Sequence, residues 1–403
     1  MEETSEFFAG VLGIGDPWRV VGVERDEVSR KVIVELKFER ELAGGLGGHL
    51  HGYVKREWRH LDTCQYQTFI RARVPRVKRH DGSTAEVEVP WAERFARVTR
   101  LMEARVVEVL CEARSHCAAA RILDMGEGRL DRIMQRAVGR GLERREEVEI
   151  PHAGIDEKAT RRGHRYVSIL TDIDRGAVVD LAEGRDGEAC SELWKRLTAK
   201  QRDSVKAVAM DMWPAYMKAA SVWVPDADVV HDRFHVAKHL GEAVDAVRKA
   251  EHRVLAKEGD DTLKGMKYHF LRRFDDLRSA PASFNAVRRS ALSTAKAWSY
   301  KEAFDHFWSY ASETWAEKFF ARWHRSAVHT KLRPVKKVAK MLQRHLPGLI
   351  AYIRHRITNA TAEGINSKIQ MLKSNARGLP NFRSLRTRVL FHCGRLDLSP
   401  HTV

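Results

Sequence analysis

The chain has 403 residues, 43% hydrophobic and 31% charged, a balance that excludes a disordered protein and leaves room for several domains. Lys and Arg number 71 against 54 Asp and Glu, and the net charge of +17 points to a polyanionic partner, nucleic acid first. No run nears the roughly 18 apolar residues of a membrane span, and an acidic start with five cysteines in no CxxC pair leads us to expect a cytoplasmic, nucleoid-associated bacterial protein.

In chain order, residues 18–38 (WRVVGVERDEVSRKVIVELKF) alternate as a strand pair about a polar turn at Asp26–Arg30. Residues 43–52 (AGGLGGHLHG) read as a Gly-rich loop. A second hairpin follows in YQTFIRARVPRVKRHDGSTAEVEVPW, with Asp81-Gly82 as its turn. From Ala92 to Arg145 the period becomes helical, giving three short helices with a break at Asp124–Gly128. These form either a helix-turn-helix or an ordinary three-helix scaffold. In the first case Arg121, Arg129, Arg132 and Arg136 are available to bases or phosphates.

Strands return at Ile150. HAGIDEKA, HRYVSILTDI and GAVVDLAEGR read as three consecutive antiparallel strands. A helix (EACSELWKRLTA), a strand ending on Asp211, a helix (AYMKAASVW), a strand (ADVVHD) and a helix from Arg233 follow. This is the element order of a ribonuclease-H-like sheet. Residues 241–345 are helical by period, and their Trp/Phe stripe is either bundle core or a base-stacking platform. In ITNATAEGINSKIQ, residues 357–370, one helical face carries Glu363, Asn366 and Gln370, and the other Ile365 and Ile369. Glu363 near the first turn is either a dipole-stabilising charge or a chemical group.

The expected architecture is multidomain α+β/α/β. A β-rich module (1–95) and a helix-turn-helix (96–149) precede a ribonuclease-H-like core with a mixed five-stranded sheet (150–240 and 346–403), interrupted by an all-helical insertion (241–345). In such a sheet the middle of the first strand and the end of the fourth lie side by side. Those places hold Asp156 and Asp211, and a later helix would bring Glu363 to them. Three converging carboxylates need cations, and two Mg²⁺ (or Mn²⁺) ions would also polarise a phosphodiester. Glu157, Asp172, Asp174, Asp226, Asp228 and Asp232 compete for the same role. Lys158, Arg161 and Arg162, just past Asp156, either hold a phosphate backbone or form a solvated basic turn.

Several blocks resemble those of the ISL-three group of bacterial insertion-sequence transposases: GIDEKATRRGHRYVSILTDIDRG, AVAMDMWPAY, VVHDRFHVAKHL and ITNATAEGINSKIQMLKSNARG, with WRHLD, ARVPRVK and HLPGLIAYIRHRITN in order around them. The resemblance implies a DDE transposase with Asp156, Asp211 and Glu363 as catalytic, metal-holding carboxylates. It also implies a DNA partner, the terminal inverted repeats and the target, and a homo-oligomer on that DNA. Asp232-Arg-Phe-His235 matches the Asp/Cys-x-x-His element of related transposases, so His235 either serves near the scissile phosphate or is a structural histidine. The family's zinc-ribbon cysteine pairs are replaced by AGGLGG and RHDGS, so no structural zinc is expected. The alternatives are a helix-turn-helix regulator, a transposase relic without chemistry, and a nuclease without strand transfer.

Overall fold

The computed structural model describes residues 2–42, 48–113, 115–161, 165–274, 277, 282–290, 292–357, 360–376 and 381–400. The chain divides into two compact units. One comprises Met1–Arg145, Leu372–Pro380 and Leu396–Val403, and the other Glu146–Met371 and Asn381–Arg395.

The first unit begins with a helix, α1 (Glu2–Leu12), followed by β1 (Trp18–Asp26), β2 (Lys31–Phe38), β3 (His49–Arg59), β4 (Gln67–Lys78) and β5 (Thr84–Glu86). They form one sheet in the order β1-β2-β4-β3, with β5 also on β4. Strict alternation along β2 buries Val32, Val34, Leu36 and Phe38 against Trp18, Trp58 and Trp91. The three indole rings meet edge to face at centroid distances of 5.0 and 5.5 Å. The Asp26–Arg30 and Asp81-Gly82 turns lie between paired strands, as the sequence indicates. The Gly-rich stretch is a correction in part. Residues 43–47 lie outside the described residues, but His49 already begins β3, the main antiparallel partner of β4. That strand occupies a sheet edge and is largely solvated, so its residues carry no apolar alternation to read.

Three helices complete the unit: α2 (Arg100–Glu112), α3 (His116–Leu123) and α4 (Glu127–Glu143). The helical period starts later than Ala92. Thr99 caps α2 by accepting from Met102 N at 3.2 Å. Asp124, in the left-handed conformation at φ 47°, ends α3. Leu130, Ile133, Met134 and Ala137 bury the inner face of α4.

The second unit is built on another five-stranded sheet. β6 (His152–Arg161), β7 (Arg165–Asp172) and β8 (Ala177–Glu183) are antiparallel neighbours. After α5 (Gly187–Lys195) and α6 (Ala199–Asp203), β9 (Ala207–Met210) lies parallel to β6. After α7 (Pro214–Trp223), β10 (Asp228–His231) lies parallel to β9. The strand order is β10-β9-β6-β7-β8. Both faces are covered. Val208 and Met210 join Leu193, Trp194 and Tyr216 of α5 and α7, while Ala207 and Ala209 join Val236, Leu240 and Val244 of α8 (Arg233–Lys257).

Beyond α8 come α9 (Lys267–Leu271), α10 (Ala282–Arg289), α11 (Ser293–Asp305), α12 (Glu313–His329), α13 (Arg333–Arg344) and α14 (Leu346–His355). The aromatic stripe is core here: Trp298, Trp308 and Trp323 are buried with Phe304, Phe307 and Phe320, and Trp315 is exposed. α15 (Ala360–Asn375) and α16 (Phe382–Cys393) follow. Arg386 of α16 makes two bonds, of 2.6 and 2.8 Å, to the buried Asp180 of β8.

α14 packs on β10 through a glycine. A Cβ on Gly348 would lie 2.4 Å from the His231 ring and 3.0 Å from Val229 O, and backbone cannot yield as a flexible side chain does. Gly348→Ala is expected to cost about 1–3 kcal/mol by overpacking, read as a lower midpoint in urea unfolding at an unchanged slope.

Candidate active site

Two adjacent strands bring the first pair of acids together. In β6 and β9, His152 lies beside Ala207 and Gly154 beside Ala209. The same register carried two residues further sets Asp156 against Asp211, the residue after β9. Alternation sets their side. Ala207 and Ala209 face the core that includes α8, so both aspartates point toward the first turn of that helix. Asp232 caps this turn, accepting from Phe234 N at 3.1 Å. His235 stands one position further, its Nδ1 3.6 Å from Asp232 Oδ2 in an ion pair rather than a short hydrogen bond.

Burial raises the pKa of Asp156, and the charge of Asp211 adds to it. Against this, Asp156 Oδ1 accepts from Glu157 N at 2.8 Å and Oδ2 from Asn366 Nδ2 at 2.6 Å. Burial likewise raises Asp211, opposed by the positive field of His235 and by a 3.0 Å bond from Trp213 N. The imidazole of His235 is raised in turn, first by Asp232 and then, against burial, by Asp211 and Asp156. The pair is half-buried, and that burial opposes ionisation. One more polar atom is unpaired there: Asn366 Oδ1 is buried without a hydrogen-bond partner. Carboxylates that resist ionisation beside an orphaned carbonyl oxygen fit a hard divalent cation, which takes oxygen ligands.

Glu363 lies one helical turn before Asn366 on α15, exposed, and lines a cavity of about 620 Å³ with Asp232, Phe234 and Lys238. Among the described residues no three His, Cys, Asp or Glu side chains converge closely enough to hold a metal ion. The structure thus unites Asp156, Asp211 and His235, and reaches them from α15 through Asn366 rather than Glu363. The sequence places Asn366 on the polar face of this helix and gives it no role. Its spacing of three from Glu363 was the available signal.

The competing acids have other engagements. Asp172 accepts from Arg175 N at 3.1 Å, Asp174 meets His152 at 2.9 Å, and Asp228 holds Arg354 and His355 at 2.6 and 2.7 Å. Asp226 is exposed. Glu157 is raised by burial and by Asp211, and pairs with Arg185 at 3.6 Å. Lys158 is half-buried on β6. Arg161 ends that strand, its side chain lying outside what is described, and Arg162 lies outside the described residues.

On the three-helix segment, Arg121, Arg129 and Arg132 are exposed, and Arg132 donates to Gly128 O at 3.1 Å. Arg136 is occupied. It pairs with Glu103, which is 1% exposed and is also held by Arg140 at 2.8 Å.

Comparison with known proteins gives the class first. A family model described as "Transposase", of the DDE type and the ISL-three group, matches residues 153–389. The chain belongs to the ISL-three family of DDE transposases. A second model, a zinc finger of the transposases of IS204, IS1001, IS1096 and IS1165, matches residues 45–78. In that stretch the one cysteine is Cys64, so the four-cysteine ligand set is missing from the sequence. The transposase for insertion sequence element IS1001 of Bordetella parapertussis is 25% identical over 377 residues, 90% of this chain and 92% of the relative. That for IS1557 of Mycobacterium tuberculosis (strain CDC 1551 / Oshkosh) is 25% identical over 372 residues, 86% of this chain and 82% of the relative.

The division among the arginines can be measured. Arg136→Ala is expected to lose about 1–3 kcal/mol, since it uncovers part of a buried carboxylate. Arg129→Ala and Arg132→Ala should stay within about 0.5 kcal/mol of the parent in urea unfolding.

Proposed function

We propose that the protein binds the terminal inverted repeats of an insertion sequence and catalyses metal-dependent cleavage and transfer of DNA strands. The observation that carries this reading is the register of β6 and β9, which sets Asp156 against Asp211 with His235 beside them. The sheet order, with a central strand flanked by one antiparallel and one parallel neighbour, supports a ribonuclease-H-like core with a helical insertion. Family membership supports the reaction class.

In this reading Asp156 and Asp211 would hold Mg²⁺ or Mn²⁺ ions, and Glu363, exposed one turn before Asn366 on α15, would be the third carboxylate once it turned toward them. When bound, the cations stabilise charge developing on the phosphoryl oxygens during in-line displacement. Asn366 fixes the rotamer of Asp156 and leaves its own buried Oδ1 without a hydrogen-bond partner. His235, whose imidazole is raised first by Asp232 and then by Asp211 and Asp156, serves as a hydrogen-bond donor toward a phosphate oxygen. Arg121, Arg129 and Arg132 contact DNA from the three-helix segment, which acts as a helix-turn-helix. The residue 45–78 segment works as a hairpin without zinc. The active protein is a homo-oligomer on DNA, acting at the bacterial nucleoid.

A labelled duplex of the flanking inverted repeat, a target plasmid and Mg²⁺ test the proposal together. Cutting with joining supports it, cutting alone leaves a nuclease, and binding alone leaves a regulator or relic. Asp156→Asn, Asp211→Asn and Glu363→Gln are each expected to lower cleavage by orders of magnitude while end binding persists. Their combination should do little more, because each disables one site. Asp232→Asn is the control: its loss of cleavage beside an active Glu363→Gln variant removes Glu363 from the role. Binding should weaken steeply with salt, since released counterions drive it, and a flat dependence of log K on log salt removes the charge argument.

A further inference from the structure

Two large aromatic side chains flank the paired aspartates and are not in the core. Trp213 is 38% exposed and Phe234 is 57% exposed. Scattered surface hydrophobics need no explanation, but these two are fastened to the site. Trp213 N donates to Asp211 Oδ1 at 3.0 Å, and Phe234 N to Asp232 Oδ1 at 3.1 Å. The Phe234 ring lies 5.7 Å from that of His235.

The indole of Trp213 is held in one orientation. Its Nε1 donates to Arg185 O at 3.1 Å, and the Arg185 guanidinium lies 5.1 Å from its ring and 4.2 Å from that of Tyr166. A fixed ring loses little entropy when a second flat group stacks on it. Phe234 lines the cavity of about 620 Å³ together with Ala237, Leu240 and Trp308, a size within the ~300–1,000 Å³ of small-ligand pockets. Lys238 lines the same cavity, so its wall carries a cation as well as apolar faces.

Flat apolar faces, a cation and a cavity beside a phosphodiester-handling site match the parts of a nucleotide: base, phosphate and sugar. In an intact duplex both faces of each base are covered by its neighbours, so these rings would have nothing to receive. We infer that Trp213 and Phe234 stack on unpaired bases beside the scissile phosphate, so that the DNA end entering the site is opened rather than fully paired. The inference rests on the proposed strand cleavage. Stacking on an aromatic ring is tolerant of sequence, because every base has a π-face. The opening would therefore be set by position at the acids, not by which bases lie there.

The experiment compares two duplexes of the flanking inverted repeat, one fully paired and one with mismatches at the base pairs on either side of the cut, in Mg²⁺. Trp213→Ala and Phe234→Ala are each expected to cut the paired duplex about tenfold more slowly. The mismatched duplex should restore most of that loss, since opening no longer has to be driven. Trp213→Phe and Phe234→Trp should keep the parent rate on both. In the parent protein, 2-aminopurine next to the cut should change its emission on binding, and Trp213→Ala or Phe234→Ala should reduce that change; an emission change that both variants keep in full overturns the inference. An equal loss on both duplexes, or no loss on either, overturns the inference while the cleavage reading stands. A parent protein that cuts neither duplex overturns both.

Discussion

The second unit depends on one pairing: the long strand β6 and the short strand β9, lying parallel in a register that makes Asp156 and Asp211 neighbours. Two half-buried carboxylates on neighbouring strands repel, and the chain opposes that repulsion with a histidine, two backbone N–H groups and one amide. Helices cover both faces of the sheet, so β9 is buried over its whole length and its register cannot slip without exchanging the two cores. The site is thus fixed by packing before any charge is considered.

Much of this was readable from residue order. The three antiparallel strands, the Asp211 strand and the Arg233 helix stand where apolar runs and turn residues put them, because a sheet buried on both faces needs continuous apolar strands and sharp polar breaks. What escaped were elements whose residues face solvent. β3 is a largely solvated edge strand of mixed residues without apolar alternation, and α6, at Ala199–Asp203, is a single turn set by a Thr198/Gln201 capping box.

The candidate site was legible unevenly for the same reason. Asp156 and Asp211 end apolar runs, so their places follow from strand positions. Glu363 and Asn366 share a polar helical face, and periodicity cannot say which of two residues on one face reaches a partner brought close only by folding. The structure gives that contact to Asn366. The arginines of the three-helix segment show the limit again: Arg129, Arg132 and Arg136 look alike in sequence, yet Arg136 is drawn inward by a buried Glu103 that no local pattern marks.

The order of elements along the chain has a consequence in time. The sheet is complete once β10 has been made, but the helix whose Asn366 bonds Asp156 is reached only after well over a hundred further residues. At synthesis speeds of about 5–20 residues per second, the growing chain spends on the order of ten seconds with its acids lacking that partner. A polypeptide cut short anywhere in the helical block would keep the aspartate pair and lack α15. Premature termination would therefore yield fragments without the Asn366 bond to Asp156, made alongside the whole molecule from the same message.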